Sequence, residues 1–151
     1  MTSHESLTYE NSYPVEGGTF KNAGRVSAQV KARLKEMKLP GKIIRRAAIV
    51  TYEAEINICS YADHGRIILQ VTPTHVTIEA IDEGQGIPDI NLAMQAGYST
   101  ATKEIMQVGF GAGMGLSNIK HFSDSFCITS EVGKGTRLKM IILIDRDRYR
   151  V

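Results

Sequence analysis

Asp82-Glu83-Gly84-Gln85-Gly86-Ile87-Pro88 opens, and Gly109-Phe110-Gly111-Ala112-Gly113-Met114-Gly115-Leu116 closes, the stretch that decides the fold of this 151-residue chain. The two clusters carry six glycines between them. Glycine loses more conformational freedom on folding than any other residue, so such a run is kept where the backbone must bend tightly or approach something closely. Gly109, Gly111, Gly113 and Gly115 alternate immediately before an apolar-periodic segment that reads as a helix from about 114 to 122. Backbone N–H groups at such a helix start are unpaired donors that bind phosphate. The spacing completes neither Gly-x4-Gly-Lys-Ser/Thr nor Gly-x-Gly-x-x-Gly, so a Walker-type loop and a dinucleotide fingerprint are both excluded. A flexible linker is the competing reading, but Phe110, Met114 and Leu116 are out of character for one.

Asp82 ends a run of strand formers and precedes Gly84 and Gly86. A carboxylate there can accept a hydrogen bond from an amino group such as that of adenine, or simply stabilise an ordinary Asp-x-Gly turn.

Working outward, 66–72 and 75–81 are β-rich and separated by Pro73-Thr74, which predicts a hairpin. Upstream, Ile43, Ala47, Val50, Ala54 and Ile58 predict a well-buried helix over 41–61. It follows the break at Leu39-Pro40-Gly41. Glu53 and Asn57 lie on one side of that helix, a turn apart, either as a functional pair or as a polar edge. Glu55 reads as a solvent residue. Val26, Val30, Leu34 and Met37 predict a helix over 20–38, and Leu7, Tyr9 and Val15 a strand near 6–15. Downstream of Asp82, residues 88–97 read as a short capped helix and 98–112 as a functional loop, in which Lys103 is a solvated lysine or a phosphate contact. A last hairpin, 124–131 and 136–144, turns at Gly133-Lys134-Gly135.

Helices and hairpins mixed in this order argue for an α+β fold. The expected form is a two-layer sandwich with helices on one face of a mixed, mainly antiparallel sheet. A single domain is expected over 1–151, with 1–5 and 145–151 as flexible tails. The 42% apolar and 23% charged residues are ordinary for a globular protein, and the net charge of +2 gives no case for nucleic acid. No membrane-length apolar run or signal pattern occurs, so a cytoplasmic protein with no membrane partner is expected. Cys59 and Cys127 are expected to be reduced and mostly buried, and the four histidines do not form a zinc pattern.

Four motifs now stand in order. They are Glu53-x-x-x-Asn57 on a helix, Asp82-x-Gly84-x-Gly86-Ile87-Pro88 after a strand, Gly109-x-Gly111-x-Gly113-x-Gly115 opening a helix, and Gly133-x-Gly135-Thr136 in the last hairpin. Over roughly 40–144 this resembles the nucleotide-binding domain shared by DNA gyrase, heat-shock chaperones, histidine kinases and mismatch-repair ATPases, the Bergerat-type GHKL fold. Asp82 to Ile90, Gly97-Tyr98-Ser99-Thr100 and Gly111 to Leu116 are most similar to the small bacterial serine kinases of the anti-sigma-factor and stressosome-switch branch.

The resemblance implies ATP and Mg²⁺ as cofactors and Glu53 as the catalytic base. It implies Asn57 as the Mg²⁺ ligand and Asp82 as the adenine-binding carboxylate, with Thr136 supporting Asp82 through a water. Gly84, Gly86 and Ile87 would stand at the adenine end, and Gly109, Gly111, Gly113, Met114, Gly115 and Leu116 at the phosphate end, with 98–108 as a mobile lid. It further implies phosphorylation of a serine on an anti-sigma-antagonist, STAS-like partner, with a sigma factor as a further partner. A non-catalytic ATP-dependent switch and a slow ATPase are the alternatives. The first strand, at a sheet edge, could pair with a second copy of the chain.

Overall fold

A computed structural model describes residues 8–84, 86, 94 and 115–144. Its elements are β1 (Tyr9–Glu16), α1 (Arg25–Glu36), α2 (Gly41–Tyr61), β2 (His64–Val71), β3 (His75–Asp82), α3 (Gly115–Phe122), β4 (Ser125–Glu131) and β5 (Gly135–Leu143). The five strands form one sheet in the order β1-β2-β3-β5-β4, and every neighbouring pair is antiparallel. The expected α+β sandwich with a mainly antiparallel sheet is present, and among the described residues every strand pair is antiparallel. β1 and β2 are joined through α1 and α2, and β2–β3 and β4–β5 are hairpins. The expected short helix over 88–97, the loop that follows it and the chain tails lie outside the described residues.

The core sits between one sheet face and the helices. Ile67, Leu69 and Val71 of β2, Val76, Ile78 and Ala80 of β3, and Leu138, Met140 and Ile142 of β5 alternate inward, as period-two strands must. Against them α2 presents Ile43, Ala47, Val50, Ala54 and Ile58 at helical spacing, and α1 presents Val26, Val30 and Leu34. The opposite face of the sheet carries polar groups such as Glu79 and Arg137, whose side chains form a forked pair at 3.0 and 3.1 Å. Exposed as it is, that pair contributes little to stability. Cys59 is buried as expected, but Cys127 is exposed, because alternation along β4 sends it outward while Phe126 and Ile128 pack inward.

α1 begins at Arg25 and not near residue 20, since Gly24 takes a left-handed φ of 94° just before it. Gly24 has no side chain to cap the helix. The cap comes instead from α2: Glu55 accepts the Val26 N–H at Oε2 (3.1 Å) and the Ser27 N–H at Oε1 (3.2 Å). The Ser27 hydroxyl donates in turn to the Ala48 carbonyl at 2.9 Å. Glu55 is therefore not a solvent residue. At 2% exposure it is buried, and its charge is satisfied by two orphan donors and the positive end of α1.

α3 is tied to α2 at its far end. Arg46 donates from Nε to the Phe122 carbonyl at 3.0 Å and pairs with Asp124 at 3.2 Å. Asp124 also accepts the Leu143 N–H at 2.7 Å, so the helix end is anchored to the sheet as well.

Removing the Glu55 carboxylate strands two N–H groups inside the helical layer. Glu55→Ala is expected to lower unfolding stability by about 2–4 kcal/mol in a urea titration, and Glu55→Gln, which keeps one acceptor oxygen, by less. A loss below about 0.5 kcal/mol, the level of an ordinary surface change, would contradict the capping role.

Candidate nucleotide site

α2 carries the first two site residues. Glu53, Asn57 and Tyr61 follow at steps of four, so they form one line along the helix, about 12 Å from first to last at 1.5 Å per residue. Each end of that line meets a different glycine. At the Glu53 end stands the start of α3, where a β-carbon built on Gly115 would lie 4.0 Å from Glu53 Oε1. One helical turn on, Asn118 donates from Nδ2 to Glu53 Oε2 at 2.8 Å. At the Tyr61 end stands the turn after β3, where a β-carbon on Gly84 would come within 2.5 Å of the Tyr61 carbonyl. Asn57 is half-buried between the two ends.

Asp82 closes β3 beside that turn. Its Oδ1 accepts the Gly84 N–H at 2.8 Å and the Thr136 N–H at 3.3 Å. Burial pushes the Asp82 carboxyl above its ordinary value, and the two backbone donors pull partly against that. Both bonds fall on one oxygen, so Oδ2 is the oxygen left for a ligand among the described residues. Thr136 faces Asp82 across the β3–β5 ladder, and its hydroxyl lies 2.8 Å from that of Ser130 on β4. Its link to Asp82 here is a direct backbone bond, in addition to whatever a water provides.

Gly135 allows this approach. It sits at φ 137°, and a β-carbon there would be driven to 2.0 Å from the Asp82 carbonyl oxygen. Gly86, likewise at positive φ, packs its Cα against the Glu131 carbonyl. A cavity of about 300 Å³ opens beside these groups, lined among others by Asp82, Ser130, Lys134, Thr136 and Arg137. Neither Glu53 nor Asn57 lines it, so it marks the hairpin end of the sheet and not the span along α2.

The predicted residues thus form two described groups, Glu53 with Gly115 and Asp82 with Gly84, Gly86 and Thr136, with Asn57 between them. Leu116 is buried in the core against the helices. Ile87, Gly109, Gly111, Gly113 and Met114 lie outside the described residues. Sequence reasoning missed Asn118 and Ser130, and it placed Gly135 in the last motif without a role of its own. Asn118 looked like any polar residue on a short helix.

Residues 44–147 match the model of the histidine kinase-, DNA gyrase B- and HSP90-like ATPases. The chain belongs to this family of ATP-binding domains. It is 34% identical over 105 residues to an anti-sigma F factor of Caldanaerobacter subterraneus subsp. tengcongensis, covering 70% of this chain and 66% of that protein. It is 34% identical over 104 residues to the serine/threonine-protein kinase RsbT of Bacillus subtilis, covering 65% of this chain and 72% of that protein. An anti-sigma F factor of Thermoanaerobacter sp. (strain X514) is 38% identical over 78 residues, or 52% of this chain and 51% of that protein. The chain thus matches about half to under three quarters of the length of these relatives. Among the described residues no helix is long and apolar enough to cross a membrane.

Two glycines of one turn separate the demands of shape and of contact. Gly133 has φ 84° but open space around its Cα, whereas Gly135 has both positive φ and the Asp82 carbonyl in the way. Gly133→Ala is expected to cost about 1 kcal/mol, from left-handed strain alone. Gly135→Ala is expected to cost at least about 2 kcal/mol more in chemical denaturation. Equal losses would show that the close approach to Asp82 is not needed.

Proposed function

We propose that this chain is an ATP-dependent protein-serine/threonine kinase of the anti-sigma regulatory type. It would phosphorylate a serine on a small anti-sigma-antagonist, STAS-like partner, with a sigma factor as a further binding partner. The observation that carries the reading is the Glu53 carboxylate beside Gly115, where the glycine run enters α3. A pure binding switch has no use for a base at that point. The family and the names of its relatives support the same class of activity.

The roles are those the family resemblance implies. Asp82 Oδ2 would accept from the amino group of adenine, with Gly84, Gly86 and Ile87 around the base. Gly109, Gly111, Gly113, Met114, Gly115 and Leu116 would serve the phosphate end, where backbone N–H groups and a helix start favour anions. Asn57, between the two, offers a hard carboxamide oxygen, the donor type that suits Mg²⁺. That cation takes few protein ligands besides phosphate oxygens and water, so the donor set fits. When bound, Mg²⁺ would neutralise charge on the β- and γ-phosphates. Glu53 would take the proton of the serine hydroxyl as that oxygen attacks the γ-phosphorus, whose bond to the β–γ bridging oxygen breaks so that ADP leaves.

The test is incubation of the chain with Mg·ATP labelled at the γ-phosphate and the proteins encoded beside it. Label is expected on a serine of one partner. Glu53→Ala is expected to keep ATP affinity by calorimetry and to lose about two to four orders of magnitude in transfer. Transfer at the native rate would overturn the role of Glu53. ATP affinity without any transfer or hydrolysis in the wild-type chain would leave the switch reading in its place.

Recognition of the adenine amino group needs Asp82 ionised. Because burial raises its carboxyl, protonation sets in at a higher pH than for an ordinary aspartate, about 3.9. ATP affinity is therefore expected to fall as pH drops through a midpoint above that value. Asp82→Asn is expected to bind ATP more weakly and without this acid limb. An Asn variant with the wild-type affinity and pH profile would remove Asp82 from the site.

A further inference from the structure

We propose that Asn118 is a positioning residue for Glu53, turning one chosen oxygen of its carboxylate toward the reacting hydroxyl. The proposal rests on the reading of Glu53 as the base. Its observation is the 2.8 Å bond from Asn118 Nδ2 to Glu53 Oε2, which joins α3 to α2 across 65 residues of sequence.

A glutamate on a helix edge has three side-chain torsions and no reason of its own to hold one geometry. The Asn118 bond removes that freedom. With Oε2 engaged, Oε1 is the oxygen that faces the Cα of Gly115, at the mouth of α3. A general base acts only within about 2.6–3.2 Å of its proton, and an error of about 1 Å costs on the order of 100-fold in rate. Asn118 stands one turn after Gly115, on the same side of α3. The helix start and the donor that aims Glu53 are therefore one rigid unit. A carboxamide is suited to this task because it donates at every pH and cannot compete for the proton.

A simple tie between helices is the rival explanation. The helix pair already has other ties. Leu116 and Ile119 are buried in the core, and Arg46 holds the Phe122 carbonyl and Asp124 at the far end. Asn118 can therefore be replaced without undocking α3.

The test is a double-mutant cycle on turnover of γ-labelled Mg·ATP, to the serine partner or to water. Asn118→Leu, similar in shape but without the donor, is expected to lower kcat about 10–100-fold with the KM for ATP within about twofold. In a Glu53→Ala background the same substitution is expected to change nothing further. Asn118→Gln, which keeps the carboxamide, is expected to recover part of the loss. A second readout needs no turnover. The Asn118 side-chain amide resonances in a ¹⁵N-labelled protein are expected to move when Glu53 is replaced by Ala.

Native kcat in Asn118→Leu, or losses that simply add in the cycle, would overturn the proposal while the sensitivity to Glu53→Ala kept the base in place. Native turnover in Glu53→Ala would overturn both. Should Asn118→Leu fail to fold, Asn118→Ser carries the same comparison.

Discussion

Two carboxylates of α2, Glu53 and Glu55, sit two residues apart and so point about 200° apart around the helix. The rest of the structure depends on that divergence. Glu55 turns into the helical layer and takes the first N–H groups of α1, so the two helices dock with their polar ends satisfied. Glu53 turns out to the edge, where α3 begins. One helix face serves the core, a second caps a neighbour, and the third meets the start of α3. Because Glu55 is buried and bonded, the rotation of α2 about its own axis is fixed. That rotation is what aims Glu53 and Asn57.

The antiparallel sheet plays the complementary part. It brings the end of β3 beside the start of β5, so that Asp82 lies opposite Thr136. The carboxylate is then held by backbone N–H groups, which do not rotate away as side chains do. Burial works against those two bonds and pushes its carboxyl upward. Partial burial of an acceptor beside glycine-rich backbone is a poor arrangement for stability and a useful one for recognising a donor.

Much of this was legible in the chain. The bounds of α2 follow from Pro40-Gly41 at one end and the turn residues Asp63-His64-Gly65 just past the other. The two hairpins follow from Pro73-Thr74 and Gly133-Lys134-Gly135. What could not be read is what depends on contacts distant in sequence. Glu55 looks solvent-facing from its own neighbours, and its partners lie 28 and 29 residues earlier. Gly24 gave no hint either, because the apolar period placed it inside a helix over 20–38 and not at the helix start. Cys127 looked buried because its segment is apolar, but alternation along a strand sends every second side chain to the sheet face away from the core. Asn118 gained meaning only when α3 was seen against α2. In each case period and composition describe one element, while burial belongs to a pair of them.

The line Glu53–Asn57–Tyr61 shows how such pairs set a length. At one end Gly115 lets the start of α3 come close to Glu53, and at the other Gly84 lets the turn after Asp82 press on the Tyr61 carbonyl. A side chain at Gly84 would push the Asp82 turn away from α2, and Asp82 with it. The distance between the Gly84 contact and the Gly115 contact is thus a property of α2, about 12 Å of helix that cannot stretch. The glycines do not merely loosen the backbone. They let two turns close on a rigid rod, and the rod fixes how far apart those turns stand.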